Sequence, residues 1–179
     1  MTVQPEVQDQ YEAYPYPSRN PADEHKRLII GSPSNLAELN HYLFAGKRDF
    51  SKPFRALVAG GGTGDATIML AQQLADASDD GQGQPGQVTY LDLSSASRDI
   101  VEARAKERGL NNITFLSGSL LDLPSLALEP FDYIDCCGVL HHLSSPEQGL
   151  RALTSVLKEA GGMGIMVYGE YGREGVYPM

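Results

Sequence analysis

The chain has 179 residues, 41% hydrophobic and 21% charged, which is a globular composition with enough length for one core of ordinary size. Its net charge is −9 and its 14 basic residues are scattered, so a broad phosphate-binding face is excluded and nucleic acid is not an expected partner. No apolar run approaches a membrane span, and Met1-Thr2-Val3-Gln4-Pro5-Glu6 lacks the basic-then-apolar form of a signal peptide, so a cytoplasmic protein with no membrane association is expected.

The amino-terminal stretch Tyr11-Glu12-Ala13-Tyr14-Pro15-Tyr16-Pro17 reads as a stiff, extended, aromatic segment able to fold over something, because its prolines exclude regular helix. Asn20 then caps a helix with Pro21 at its first position and Asp23 and Glu24 in its first turn; this helix is expected to stop near Gly31. Ser32-Pro33 repeats the cap-and-proline signal, and Leu36, Leu39 and Leu43 form an apolar stripe ending before Gly46. Residues 1–50 therefore read as an extended segment and helical cap ahead of a core spanning 51–179.

The core opens with the most informative run of the chain, Arg55-Ala56-Leu57-Val58-Ala59-Gly60-Gly61-Gly62-Thr63-Gly64, a buried strand breaking into a glycine-rich turn that opens a helix over about Asp65–Ala77. Glycine lets the main chain turn with positive φ and lets a ligand approach it, while the helix offers unpaired N–H groups at its positive end. The dinucleotide frame G-x-G-x-x-G fails at Asp65, which disfavours a nicotinamide oxidoreductase, and no Gly-Lys-Ser/Thr follows to make a P-loop; what remains is G-x-G-x-G at Gly60, Gly62 and Gly64.

Asp79 to Gln87 is a Gly/Asp/Gln-rich loop without periodicity. Val88–Leu91 follows as the second strand, then a helix from about Ala96 to Arg108 stopped by Gly109, and a third strand over Ile113–Leu116. Tyr133–Cys137 forms the fourth strand. Ser145-Pro146-Glu147-Gln148 starts a helix whose apolar face is Leu150, Leu153 and Leu157; Gly161-Gly162 ends it, and Met163–Tyr168 is the fifth strand. Alternation of strands and helices argues for parallel strands joined by right-handed crossovers. Cys136 and Cys137, neighbours in a strand, point to opposite faces, so they are expected to be reduced and packed, and nothing nearby has the spacing of a zinc site.

The glycine turn, the segment Val88-Thr89-Tyr90-Leu91-Asp92-Leu93-Ser94 and the segment Phe131-Asp132-Tyr133-Ile134-Asp135-Cys136-Cys137-Gly138-Val139-Leu140-His141-His142-Leu143 occur in the order that resembles the class I S-adenosylmethionine-dependent methyltransferases. The resemblance implies an α/β, Rossmann-like, doubly wound parallel sheet of about five strands in the order 3-2-1-4-5, S-adenosylmethionine as cofactor, and direct in-line methyl transfer to a small-molecule or side-chain acceptor.

It also implies roles. Gly60, Gly61, Gly62 and Gly64 would approach the cofactor. Asp92 would accept hydrogen bonds from the ribose hydroxyls, unless it caps the next helix instead, a task Ser94 or Ser95 could take over. The carboxylate usual after the third strand is replaced by Ser119, so adenine would rest on Ser119, Leu120 and apolar Leu93, with Asp122 a substitute; the acidic residue usual two positions before the first glycine is Val58 here. Cys137 and Gly138 would run beside the methionine part. His141 and His142 either act as general base or fix their loop. Tyr14, Tyr16, Tyr168, Tyr171 and Arg173 either close over the substrate or serve as packing and surface residues.

The second reading is a cofactor-binding module without catalysis, since only eleven residues (179 − 168) follow Tyr168 where the resemblance implies two further strands. The expectation is an incomplete chain whose fifth strand is an exposed edge open to self-association.

Overall fold

The computed structural model describes residues 5–31, 33–78, 86–169 and 171–173. Five parallel strands, β1 (Arg55–Ala59), β2 (Gln87–Asp92), β3 (Ile113–Ser117), β4 (Phe131–Cys137) and β5 (Leu157–Met166), form one sheet in the order β3-β2-β1-β4-β5. Four successive buried residues in β2 and six in β4 follow from a sheet covered on both faces.

Of the α-helices, α1 (Pro5–Ala13) and α2 (Leu36–Tyr42) precede the sheet, and α3 (Asp65–Ala77), α4 (Ser95–Glu107) and α5 (Pro146–Ser155) are the crossovers. The period-2 alternation of the strands decides which side chains meet which layer. Ala56, Val58, Val88 and Tyr133 face α2 and α3, where Leu36, Leu39, Leu70 and Leu74 complete a core. Leu57, Ala59, Leu91, Ile134 and Cys136 face the other way, against Ala152 and Leu153 of α5 and the turn of 3-10 helix Leu120–Ser125. Cys136 and Cys137 accordingly point to opposite faces, and both are free thiols.

The local readings fail where side-chain contacts outrank spacing. Residues up to Ala13 are helical, because the prolines that forbid helix begin only at Pro15 and Pro5 sits at the helix start, where it is tolerated. After Asn20 only a 3-10 turn, Pro21–His25, forms, with Asn20 Oδ1 accepting from Ala22 N at 3.1 Å; the expected helix to Gly31 does not. The next helix is capped by Asn35, whose side chain accepts from Ala37 N at 2.9 Å, and Leu43 lies just beyond it. Ser32, once expected as that cap, lies outside the described residues, as do most of the loop between α3 and β2 and the end of the tail.

The last crossover differs most. Ser145 caps α5 as its sequence suggests, but the helix stops at Ser155, so Leu157 belongs to β5 and Leu150 is 40% exposed. Gly161 and Gly162 lie inside β5, which ends at Met166, because their missing side chains make room for other groups. A Cβ on Gly162 would lie 2.7 Å from Leu43 Cδ1, and one on Gly164 would lie 2.5 Å from Pro33 Cγ and collide with the Tyr133 hydroxyl. Residues before the sheet are thus seated in notches of its last strand. Among the described residues no helix is long and apolar enough to cross a membrane.

Candidate cofactor site

Strand order reverses between β1 and β4, where a crevice opens at the carboxyl ends of the strands. A cavity of about 430 Å³ occupies it. The glycine turn forms its floor. Gly60 N donates to Leu91 O at 2.7 Å, Gly62 N to Asp92 Oδ2 at 2.7 Å, and the Tyr90 hydroxyl to Gly62 O at 2.9 Å, so β2 fixes the turn from one side. From the other side the amino-terminal segment closes down: Thr63 Oγ1 donates to Pro17 O at 2.6 Å, and the Tyr16 carbonyl lies 2.7 Å from where a Cβ on Gly62 would be. With φ at +49°, Gly62 is a position other residues fill only under strain.

Asp92 ends β2 and faces the cavity. Its Oδ1 accepts from Ser94 N at 2.9 Å and its Oδ2 from Gly62 N. Ser94, not Asp92, caps α4, through Oγ accepting from Ser97 N at 3.1 Å. Each carboxylate oxygen has more than one lone-pair direction, so Asp92 can still accept from two neighbouring hydroxyls. Burial pushes its carboxyl pKa up, against the pull of the Ser94 and Gly62 N–H groups.

Gly60, Gly61, Leu93, Ser119, Leu120, Cys137 and Gly138 also line the cavity. Ser119 Oγ accepts from Leu121 N at 3.1 Å, capping the 3-10 helix, which fixes the wall formed by buried Leu120. Gly64 does not line the cavity. It sits at the amino end of α3 with φ at +97°, and a Cβ there would collide with Val101 of α4, so its place is in helix packing. The histidines part: His142 lines the cavity, while His141 stacks at 4.1 Å from the Tyr168 ring, outside the lining.

Tyr16, though 69% exposed, lines the mouth with Tyr11 and Tyr168; Tyr14 and Tyr171 do not, and the Arg173 side chain lies outside what is described. Asp122 lies in the first turn of the 3-10 helix and does not line the cavity.

Several lining residues fall outside the expected site set. Tyr11 comes from α1, its ring edge-on to His142 at 6.3 Å, and burial raises its phenol pKa, with Tyr168 and Asp92 adding to the effect. Asp65, the first residue of α3, is gripped by Arg19 Nε and Arg104 Nη1, each at 2.8 Å; burial alone would raise its carboxyl pKa, but these two guanidinium groups hold it below the ordinary range. Asp135 and Ser34 meet in the lining beside Cys137. Val58 faces the cavity too, and its register partner on β4 is Asp135, so the carboxylate absent from β1 is present one strand away.

These residues fit S-adenosylmethionine. The volume suits a nucleoside-sized ligand, the glycine floor lacks side chains that would fill it, and a carboxylate stands on either side of β1.

Comparison with known proteins agrees. Residues 57–163 match the family described as a methyltransferase domain. An uncharacterized protein of Synechococcus sp. is 34% identical over 94% of this chain and 38% of its own length, and the tRNA 5-carboxymethoxyuridine methyltransferase of Escherichia coli is 30% identical over 66% of this chain and 41% of its own. The chain thus spans about two fifths of the length of these curated relatives. A protein solved in work on conversion of a disulfide bond into a thioacetal group during echinomycin biosynthesis shares the fold, with a TM-score of 0.64 and 24% identity over 96% of this chain and 62% of that one. A glycine turn, an acidic strand end and a fourth-strand loop converge on one crevice in a sheet of this order, and the chain belongs to the class I S-adenosylmethionine-dependent methyltransferases.

Proposed function

We propose that the chain binds S-adenosylmethionine in the cavity at the ends of β1, β2 and β4 and transfers its methyl group, by in-line displacement, to a small-molecule or side-chain acceptor. The observation that carries the reading is Asp92: a half-buried carboxylate at the end of β2, facing the cavity beside the glycine floor, with lone pairs left for two adjacent hydroxyls. Leu93 and Leu120 supply apolar walls for a base, and Ser119 adds a hydroxyl beside them.

When bound, the cofactor supplies a methyl group already activated by its sulfonium, so the protein needs to align and desolvate rather than to form a covalent intermediate. Tyr11, Tyr16 and Tyr168 form an aromatic rim that excludes water from the side where an acceptor would enter. His142 stands at that rim; it either takes a proton from the acceptor or holds its loop, and His141 supports it from behind.

Calorimetric titration with S-adenosylhomocysteine tests the reading. Binding is expected, and Asp92→Ala should weaken it about 10- to 150-fold, the range for losing a charge-assisted hydrogen bond. Unchanged affinity in the variant would overturn the ribose assignment. Transfer of labelled methyl to a panel of acceptors then separates an enzyme from a module that only binds.

A further inference from the structure

Among the described residues the other buried acids, Glu24 and Asp132, have a cation, as does the half-buried Asp65. Glu24 is paired with Arg104 at 2.6 Å and with Arg108, Asp65 with Arg19 and Arg104, and Asp132 with Lys158 at 2.8 Å. Asp135 differs. It is 3% exposed and lines the cavity, and the side chains that donate to it are neutral: Ser34 Oγ, and Cys137 Sγ at 3.7 Å, both to Oδ2. Ser34 is itself buried and its Oγ lies 2.9 Å from the Tyr133 hydroxyl. A buried carboxylate without a positive partner is costly, and it is relieved either by taking up a proton or by the arrival of a cation.

We propose that Asp135 receives the ammonium group of the cofactor's methionyl arm, with Ser34 as the residue that positions its carboxylate. This rests on the reading of the cavity given above. Three further observations support it. Asp135 and its register partner Val58 lie on the same sheet face, at the cavity. Asp92 stands on β2 and Asp135 on β4, on either side of β1, about two strand spacings, roughly 10 Å, apart across the sheet and two residues, roughly 7 Å, apart along it. An extended nucleoside with an aminobutyrate arm has its hydroxyls and its ammonium at opposite ends, matching that arrangement. The sign of the charge selects the group: a carboxylate attracts the arm's ammonium and repels its carboxylate.

Burial also raises the Asp135 carboxyl pKa, against the hydrogen bonds from Ser34 and Cys137, so its charge is sensitive to pH above the ordinary carboxyl range. The titratable groups coupled to it are Tyr133 and Cys137, on its own side of the sheet, and Cys136, its neighbour on the other side; the phenol is raised by burial and both thiols are pushed up to about 12, so none of these three ionises in the same window.

The test is calorimetry on the whole chain with two probes, S-adenosylhomocysteine and its analogue lacking only the amino group. Asp135→Asn should lose about 10- to 150-fold in affinity for the first and about twofold or less for the second; Ser34→Ala should show the same selectivity with a smaller loss. As pH falls through the carboxyl range, wild type should lose affinity for the amino-bearing probe faster than for the other, which reports Asp135 even if the variant folds poorly. Equal losses for both probes, no loss, or tighter binding by Asp135→Asn would overturn the proposal. Failure of wild type to bind either probe would instead overturn the cofactor reading, and this proposal with it.

Discussion

At the scale of single residues, the carboxylates of the cavity are stabilised unequally, and pH exposes the difference. Asp135 has a folded-state pKa raised above its unfolded value, so its neutral form is the one the fold favours. Its contribution to stability is therefore fully present below the ordinary carboxyl pKa and is lost as pH rises through the raised one. Asp135→Asn, neutral at every pH, should match wild type near pH 3 and exceed it at pH 7, each kcal/mol relieved appearing as about 2–4 °C in Tm. Thermal unfolding across that range checks it, and a variant that is less stable at pH 7 would contradict the argument. The histidine pair gives a second prediction. A general base contributes about 100-fold or more to turnover, whereas loop fixing does not, and we expect His141→Gln and His142→Gln each to keep turnover on an identified acceptor within about tenfold; a large, pH-dependent drop in His142→Gln would assign it the proton transfer. Gly60, Gly61 and Gly62 were legible as a turn and Asp92 as a strand end, while Leu120 and Cys137 were expected only from the family resemblance; all of these line the cavity. Asp135 and Ser34 were not legible, because one lies mid-strand in an apolar run and the other is a loop serine; only register and the path of the chain bring them together.

At the scale of elements, the alternation of strands and helices was readable because apolar runs bounded by turn residues are short-range information, and β1, α3 and α4 fall where their periodicities put them. The errors lie where tertiary contact decides. β5 begins six residues early, at Leu157 rather than Met163 (163 − 157), because its glycines admit Leu43, Pro33 and Tyr133 instead of ending a helix. Nothing in the spacing of α4 marks Arg104, yet it is fully buried and ties α4 to the 3-10 turn through Glu24, to α3 through Asp65, and to the glycine turn through Thr63 O at 2.7 Å. Its loss would leave Glu24 and Asp65 short of a partner. Arg104→Ala should cost about 3–5 kcal/mol, the range for breaking a buried ion pair from one side, read by urea unfolding. Arg104→Lys should recover only part of this, since a single ammonium lacks the fork that reaches several acceptors at once.

At the scale of the whole molecule, β5 is an edge of the sheet, and Ile165, Met166 and Val167 on and after it are exposed. Among the described residues no strand pairs beyond β5; an edge of that kind pairs with other strands, and we expect concentration-dependent self-association in sedimentation velocity that Ile165→Lys reduces; sedimentation as one unchanged species over about a hundredfold concentration range would count against it. The glycine notches of β5 have a different outcome. Because Leu43 and Pro33 occupy spaces that any side chain on Gly162 or Gly164 would fill, the segment before the sheet and the last strand of it constrain each other's sequence although they are more than a hundred residues apart. The same segment delivers Ser34 to Asp135 and Tyr16 to the glycine floor. A methyl group added to the far edge of the sheet would therefore be felt in the ligand crevice, carried there by the docked chain as a lever rather than through the sheet itself.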